Sequence, residues 1–179
     1  EAAEIHSMSL ELLTYPWMER FFKEDTERFK TSHLEGALLF LPYGAAVDEF
    51  QHLVYENPEA TPEERVQFWK QMEAKYLPHR KFVEMPYFET GRFWQRQAHI
   101  YNRPFYYIDY CLAQVCALQF WALAEEDRED ALERYRHLCS LGGSMPFTAL
   151  LNEVNLQSPF VKGTIDRAVM VPLQRLGLG

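Results

Sequence analysis

The chain has 179 residues, with 18 Lys+Arg against 26 Asp+Glu and a formal charge of −8, so it suits one domain and lacks the basic footprint of a nucleic-acid or anionic-membrane binder. A 47% apolar share with 8 Gly and 10 Pro excludes disordered and fibrous classes. Three Cys, an odd number in a chain of this size, point to reduced thiols rather than a disulfide framework, and no apolar run reaches the roughly 18–20 residues of a membrane span.

Apolar residues recur at three- and four-residue spacing between Pro and Gly breaks, which predicts an all-α fold in a single helical domain over 1–179. The start, Glu1-Ala2-Ala3-Glu4, has no Met, basic segment or apolar leader, and is expected to continue a longer protein. A first helix is predicted from Ala2 to Tyr15, with Ile5, Met8 and Leu12 as its apolar stripe and Pro16 as its stop. Two helices follow, Asp25 to Phe40 and Pro42 to Tyr55, the second ended by Asn57-Pro58. Thr61-Pro62-Glu63-Glu64 carries a capping-box signature for a helix to Tyr76. Pro78 and Pro86 mark a loop from Leu77 to Thr90, and a short helix is predicted over Gly91–Tyr101. The longest helix, Pro104 to Glu125, is apolar on most of its circumference and should be buried. A charged helix from Asp127 to Cys139 precedes Gly142-Gly143, and Ser144 and Ser158 start two more, with Pro172 a kink in the last.

Two constellations carry possible chemistry. Glu4, Ser7 and Glu11 fall at i, i+3 and i+7 on one helix face beside the apolar stripe. Solvated carboxylates on an amphipathic helix explain this spacing; so does a metal ligand at Glu4 with Glu11 as an orienting carboxylate behind it. One carboxylate cannot hold zinc, which takes three protein ligands at a catalytic site. The second constellation runs from Trp94 through His99 to Tyr110, with Tyr106 and Tyr110 at i and i+4 and the small Ala113 and Ala117 continuing their face. Aromatic core packing is one explanation; imidazole and phenol donors aimed at an oxyanion are the other. His33, His52, His79 and His137 have no partner at ligand spacing, and Cys111 and Cys116 are expected to be buried small hydrophobes.

Glu4-Ile5-His6-Ser7-Met8-Ser9-Leu10-Glu11 resembles the third-ligand segment of the thimet oligopeptidase and oligoendopeptidase F family of zinc metallopeptidases. LPYGAAVDEFQHLVYENP (Leu41 to Pro58), RQAHIYNRPFYYIDYCLAQ (Arg96 to Gln114) and SPFVKGT (Ser158 to Thr164) resemble family segments in the same order. The resemblance implies a mostly helical peptidase acting on short, unstructured peptides, in which an HExxH helix supplies two zinc ligands and the general base. Glu4 would then be the third Zn2+ ligand and Glu11 its support, while His99 and Tyr110, with Tyr106 as a third, would donate to the scissile carbonyl or oxyanion. Tyr107 and Tyr101 compete with Tyr106 for that role, because the gap between the His and the aromatic helix varies among relatives.

The HExxH helix is missing, expected about twenty residues before Glu1, so the chain is predicted to be the C-terminal part of such an enzyme and, alone, to bind no catalytic zinc and cleave nothing. Its partners would be short peptides, the missing N-terminal part and, through apolar faces on the first and aromatic helices, a possible second copy. The family and the unpaired Cys imply the cytoplasm. A non-catalytic peptide-binding module, or one half of a split enzyme, is the alternative.

Overall fold

The helical spacing of the apolar residues produces nine α-helices and no strand in the computed structural model, which describes residues 1–179. The all-α expectation holds. Helix α1 (Ala2–Leu13) buries Ile5, Ser9, Leu12 and Leu13, and ends where the Thr14 hydroxyl donates to the Leu10 and Glu11 carbonyls at 2.9 Å each. Pro16 lies in a 3₁₀ turn (Tyr15–Trp17), followed by the short α2 (Glu19–Phe22) and a second 3₁₀ turn at Lys23–Asp25.

The two helices expected across residues 25–55 are one. Helix α3 (Thr26–Glu56) runs through Pro42 without a break. Pro42 has no N–H for the Leu38 carbonyl and costs about 3 kcal/mol relative to Ala in a helix interior. Burial of Ala46, Val47 and Phe50 beyond it offsets that cost, at about 1.5–3 kcal/mol for a large apolar side chain. Helix α4 (Pro62–Tyr76) begins with the expected capping box, Thr61 and Glu64 each satisfying the other's backbone N–H.

The predicted helix at 91–101 is instead three short turns: a wide π-type turn at Phe88–Arg92, a 3₁₀ turn at Phe93–Arg96 and the single-turn α5 (His99–Asn102). Gly91 interrupts the run at φ 87°, against α4; a Cβ there would fall 2.7 Å from Lys70 Cγ, so no other residue fits without displacement. Helix α6 (Tyr107–Glu126) starts three residues later than predicted because Phe105 is left-handed, φ 62°, which no helix interior allows. The Asp127 carboxylate caps α7 (Arg128–Leu141) by accepting from the Glu129 and Asp130 N–H groups. Two further helices, α8 (Phe147–Glu153) and α9 (Thr164–Arg175), complete the chain, α9 continuing through Pro172.

The residues form two compact units, Glu1–Leu38 with Leu112–Gly179, and Leu39–Cys111. The first is built on Ile5, Cys116, Phe120, Leu138, Leu150 and Leu151, with the Tyr135 hydroxyl donating to the His6 carbonyl at 2.9 Å. The second is built on Phe50 and Trp69, edge to face at 5.3 Å, with Ala46, Val47, Met72, Leu77 and Trp94 around them. In this unit α3 and the start of α6 approach so closely that a Cβ on Gly44 would fall 2.0 Å from Cys111 Sγ. No helix is long and apolar enough to cross a membrane.

Candidate functional site

In the Leu39–Cys111 unit the chain turns sharply between α5 and α6. Phe105 makes the turn: its strained backbone donates N–H to Gln51 Oε1 at 2.9 Å, while Gln51, 1% exposed on α3, donates its own amide to the Val47 carbonyl. The Phe105 ring packs on His52 and Tyr55, both at 4.9 Å between centroids. This turn brings the first residues of α6 back against His99.

The His99 ring lies 5.0 Å from Tyr107 and 5.6 Å from Tyr110, edge to face with both. Tyr110 Oη is 3.4 Å from His99 Nε2, and Tyr106 meets Tyr110 at 5.3 Å between centroids. So the predicted trio His99, Tyr106 and Tyr110 occupies one cluster, and Tyr110, spaced i+3 and i+4 from its neighbours, is at its centre. Tyr101 is elsewhere: 55% exposed, it stacks on Trp94. On its other side, His99 Nδ1 lies 2.7 Å from Gln97 Nε2, and Gln97 Oε1 accepts from the Tyr43 hydroxyl at 2.9 Å. Burial pushes the Tyr107 phenol well above its ordinary value, with nearby Tyr43, Cys111 and Tyr110 adding to the shift. Tyr43 is raised for the same first reason, partly countered by the Arg80 and Arg96 charges. Both phenols therefore keep their protons at neutral pH and can donate. Sequence reasoning missed Tyr43 and Gln97; Gln97 lies two residues from His99, but Tyr43 is 54 residues before Gln97 and no local pattern connects them.

The other constellation belongs to the first unit. Glu4 is half-buried on α1, and its carbonyl accepts from the Ser7 hydroxyl at 3.2 Å. Glu11 is exposed and lies 3.1 Å from His33 Nε2 through Oε2; His33 Nδ1 lies 2.6 Å from Tyr15 Oη. Burial, then the Glu11 charge, raises Tyr15 far above its ordinary value, so its phenol donates to Nδ1 and leaves the Nε2–H for the Glu11 carboxylate. His33 thus has the partner its sequence neighbours did not show, twenty-two residues away on a second helix. The apolar Leu10, Trp17, Phe21 and Phe22 are exposed around this end of α1, Phe21 at 72%.

No group of three His, Cys, Asp or Glu residues is assembled that could hold a metal ion. The residues present do not amount to a zinc seat: Glu4 offers one carboxylate where three ligands are needed. What the cluster around His99 can do unaided is present N–H and O–H donors to a developing negative charge, the requirement of acyl-transfer chemistry.

Comparison with known proteins shows the family of the chain. The family description Peptidase family M3 matches residues 1–170. A solved structure assigned as an oligoendopeptidase F is 57% identical over 98% of this chain with a TM-score of 0.95, and an inhibitor complex of PZ peptidase A is 55% identical over 98% with the same score. An oligoendopeptidase F assignment from Bacillus anthracis str. Ames is 48% identical over 98%, with a TM-score of 0.83. This chain spans 31% of the length of each of the first two and 28% of the third. No curated protein matches. The helical fold, the ordered motifs and these matches together establish that the chain belongs to peptidase family M3, among the oligoendopeptidases.

Proposed function

We propose that the complete protein is a zinc-dependent metalloendopeptidase that hydrolyses short peptides, and that this chain supplies one metal ligand and the oxyanion donors. The observation that carries the reading is the pairing of His99 Nε2 with Tyr110 Oη at 3.4 Å in a family of peptidases. Glu4 is assigned the one carboxylate ligand this chain contributes. Glu11, held by His33, is assigned to orient the ligand sphere. Zinc, when bound with ligands from outside this chain, supplies Lewis acidity.

For the chain's own residues the work is positional. The Tyr110 phenol and the His99 ring donate to the oxygen of the scissile carbonyl as it gains charge, and Tyr106, against Tyr110, is the third donor. Short peptides are the substrate class because the family's members include oligoendopeptidases. The chain by itself, with one ligand and no HExxH base, is inert in this reading. The exposed Leu10, Trp17, Phe21 and Phe22 are the surface on which the rest of the protein, or a second copy, packs. The cytoplasm is the proposed location.

Zinc content decides the ligand assignment. The complete protein is expected to hold one zinc per chain, and Glu4→Gln to lose both metal and hydrolysis under a chelator the parent withstands. Full zinc occupancy in Glu4→Gln would remove Glu4 from the site.

A further inference from the structure

The His99 ring has two different sides. Nε2 faces Tyr110, whereas Nδ1 is engaged by Gln97 Nε2 at 2.7 Å. An amide nitrogen has hydrogens and no accepting lone pair, so Nδ1 must be the acceptor in that contact. The orientation of the Gln97 amide is set in turn by Tyr43, whose hydroxyl donates to Oε1 at 2.9 Å. The Tyr43 ring packs edge to face with Trp69 at 6.4 Å, Phe93 at 6.1 Å and Tyr107 at 5.9 Å, and its contact with Oε1 can only be a donated O–H, because an amide oxygen accepts. The direction of donation therefore runs one way, from Tyr43 through Gln97 to His99.

We propose that Tyr43 and Gln97 are positioning residues that lock His99 as the neutral Nε2–H tautomer, so that its proton points to the side where Tyr110 stands. An imidazole free to choose would place its proton on Nδ1 part of the time and turn a lone pair toward the substrate oxygen, which repels a developing oxyanion. The lock excludes that state before substrate arrives. Burial keeps the Tyr43 phenol protonated, which preserves the direction of the relay as pH rises through neutrality.

This inference rests on the donor role proposed for His99, and two readouts separate them. Histidine nitrogen NMR on the isotope-labelled complete protein, with the His99 signals assigned by their loss in His99→Gln, is expected to show the proton on Nε2 and none on Nδ1. Gln97→Glu is close in size and can still accept from Tyr43, but its carboxylate only accepts, so the His99 proton should move to Nδ1. Hydrolysis of a short peptide by Gln97→Glu should then fall about 10–100-fold in kcat with little change in KM, the range for loss of an orienting partner. Tyr43→Phe keeps the ring packing, and should give mixed tautomers and a smaller loss. A proton on Nδ1 in the parent, or an unchanged kcat in Gln97→Glu alongside a large loss in His99→Gln, would overturn the lock. An unchanged kcat in His99→Gln would instead overturn the donor role and leave the nitrogen signals to judge the tautomer alone.

Discussion

Three thiols in one chain are set apart by their surroundings. Cys111 and Cys116 are buried, and burial pushes each from an ordinary value of 9.0 up to about 12, with the Asp48 charge adding to the shift at Cys111. Cys139 is exposed. At pH 8 an alkylating reagent should modify Cys139 quickly and the other two only after unfolding; rapid labelling of all three would contradict the burial. Between pH 9 and 12 the unfolded chain releases thiol protons that the folded chain retains, so stability is present below pH 9 and is lost as pH rises toward 12. Urea midpoints across that range should fall less steeply for Cys116→Ala than for the parent. The buried role of both Cys was visible from their place in an apolar helix. The spacing of Glu4 and Glu11 likewise put them on one face, and His99, Tyr106, Tyr107 and Tyr110 were named in advance, although Tyr43 and Gln97 on the other side of the His99 ring were not. What stayed hidden was long-range: His33 reaches Glu11, and Tyr43 reaches Gln97, across helices whose contact no local period encodes. Among the competing tyrosines, ring geometry puts Tyr107 and Tyr110 against His99 and Tyr101 away from it.

Helix α3 shows where local rules give way. A Pro at its middle should end a helix, and two helices were expected, but large buried side chains on the far side hold the segment helical. Pro42→Ala restores a donor to the Leu38 carbonyl and should stabilise the protein by about 1–3 kcal/mol, seen as a higher urea midpoint at constant slope. A lower midpoint would mean that the proline ring contributes packing that the helix needs. Two residues on, Gly44 permits the close approach to Cys111, and Gly44→Ala should cost about 1–3 kcal/mol through overpacking; a neutral effect would show that α6 can yield. Boundaries set by side-chain chemistry, such as the Thr61 and Asp127 caps, were readable in advance because the signals are local. The start of α6 was not, since the left-handed Phe105 depends on Gln51, far away in sequence.

The whole chain belongs to peptidase family M3 and spans about a third of the length of its solved relatives. Its metal ligand assignment and its donor assignment lie in separate compact units, which makes each independently testable in the complete protein. Loss of Glu4 should remove metal, whereas loss of a donor should spare metal and slow turnover. The most direct test of the account is kcat for hydrolysis of a short peptide by the complete protein carrying Tyr110→Phe, with zinc content measured on the same sample. A fall of about 10²–10³ with zinc intact is the result predicted for a lost oxyanion donor. A kcat equal to that of the parent at equal zinc content would contradict it.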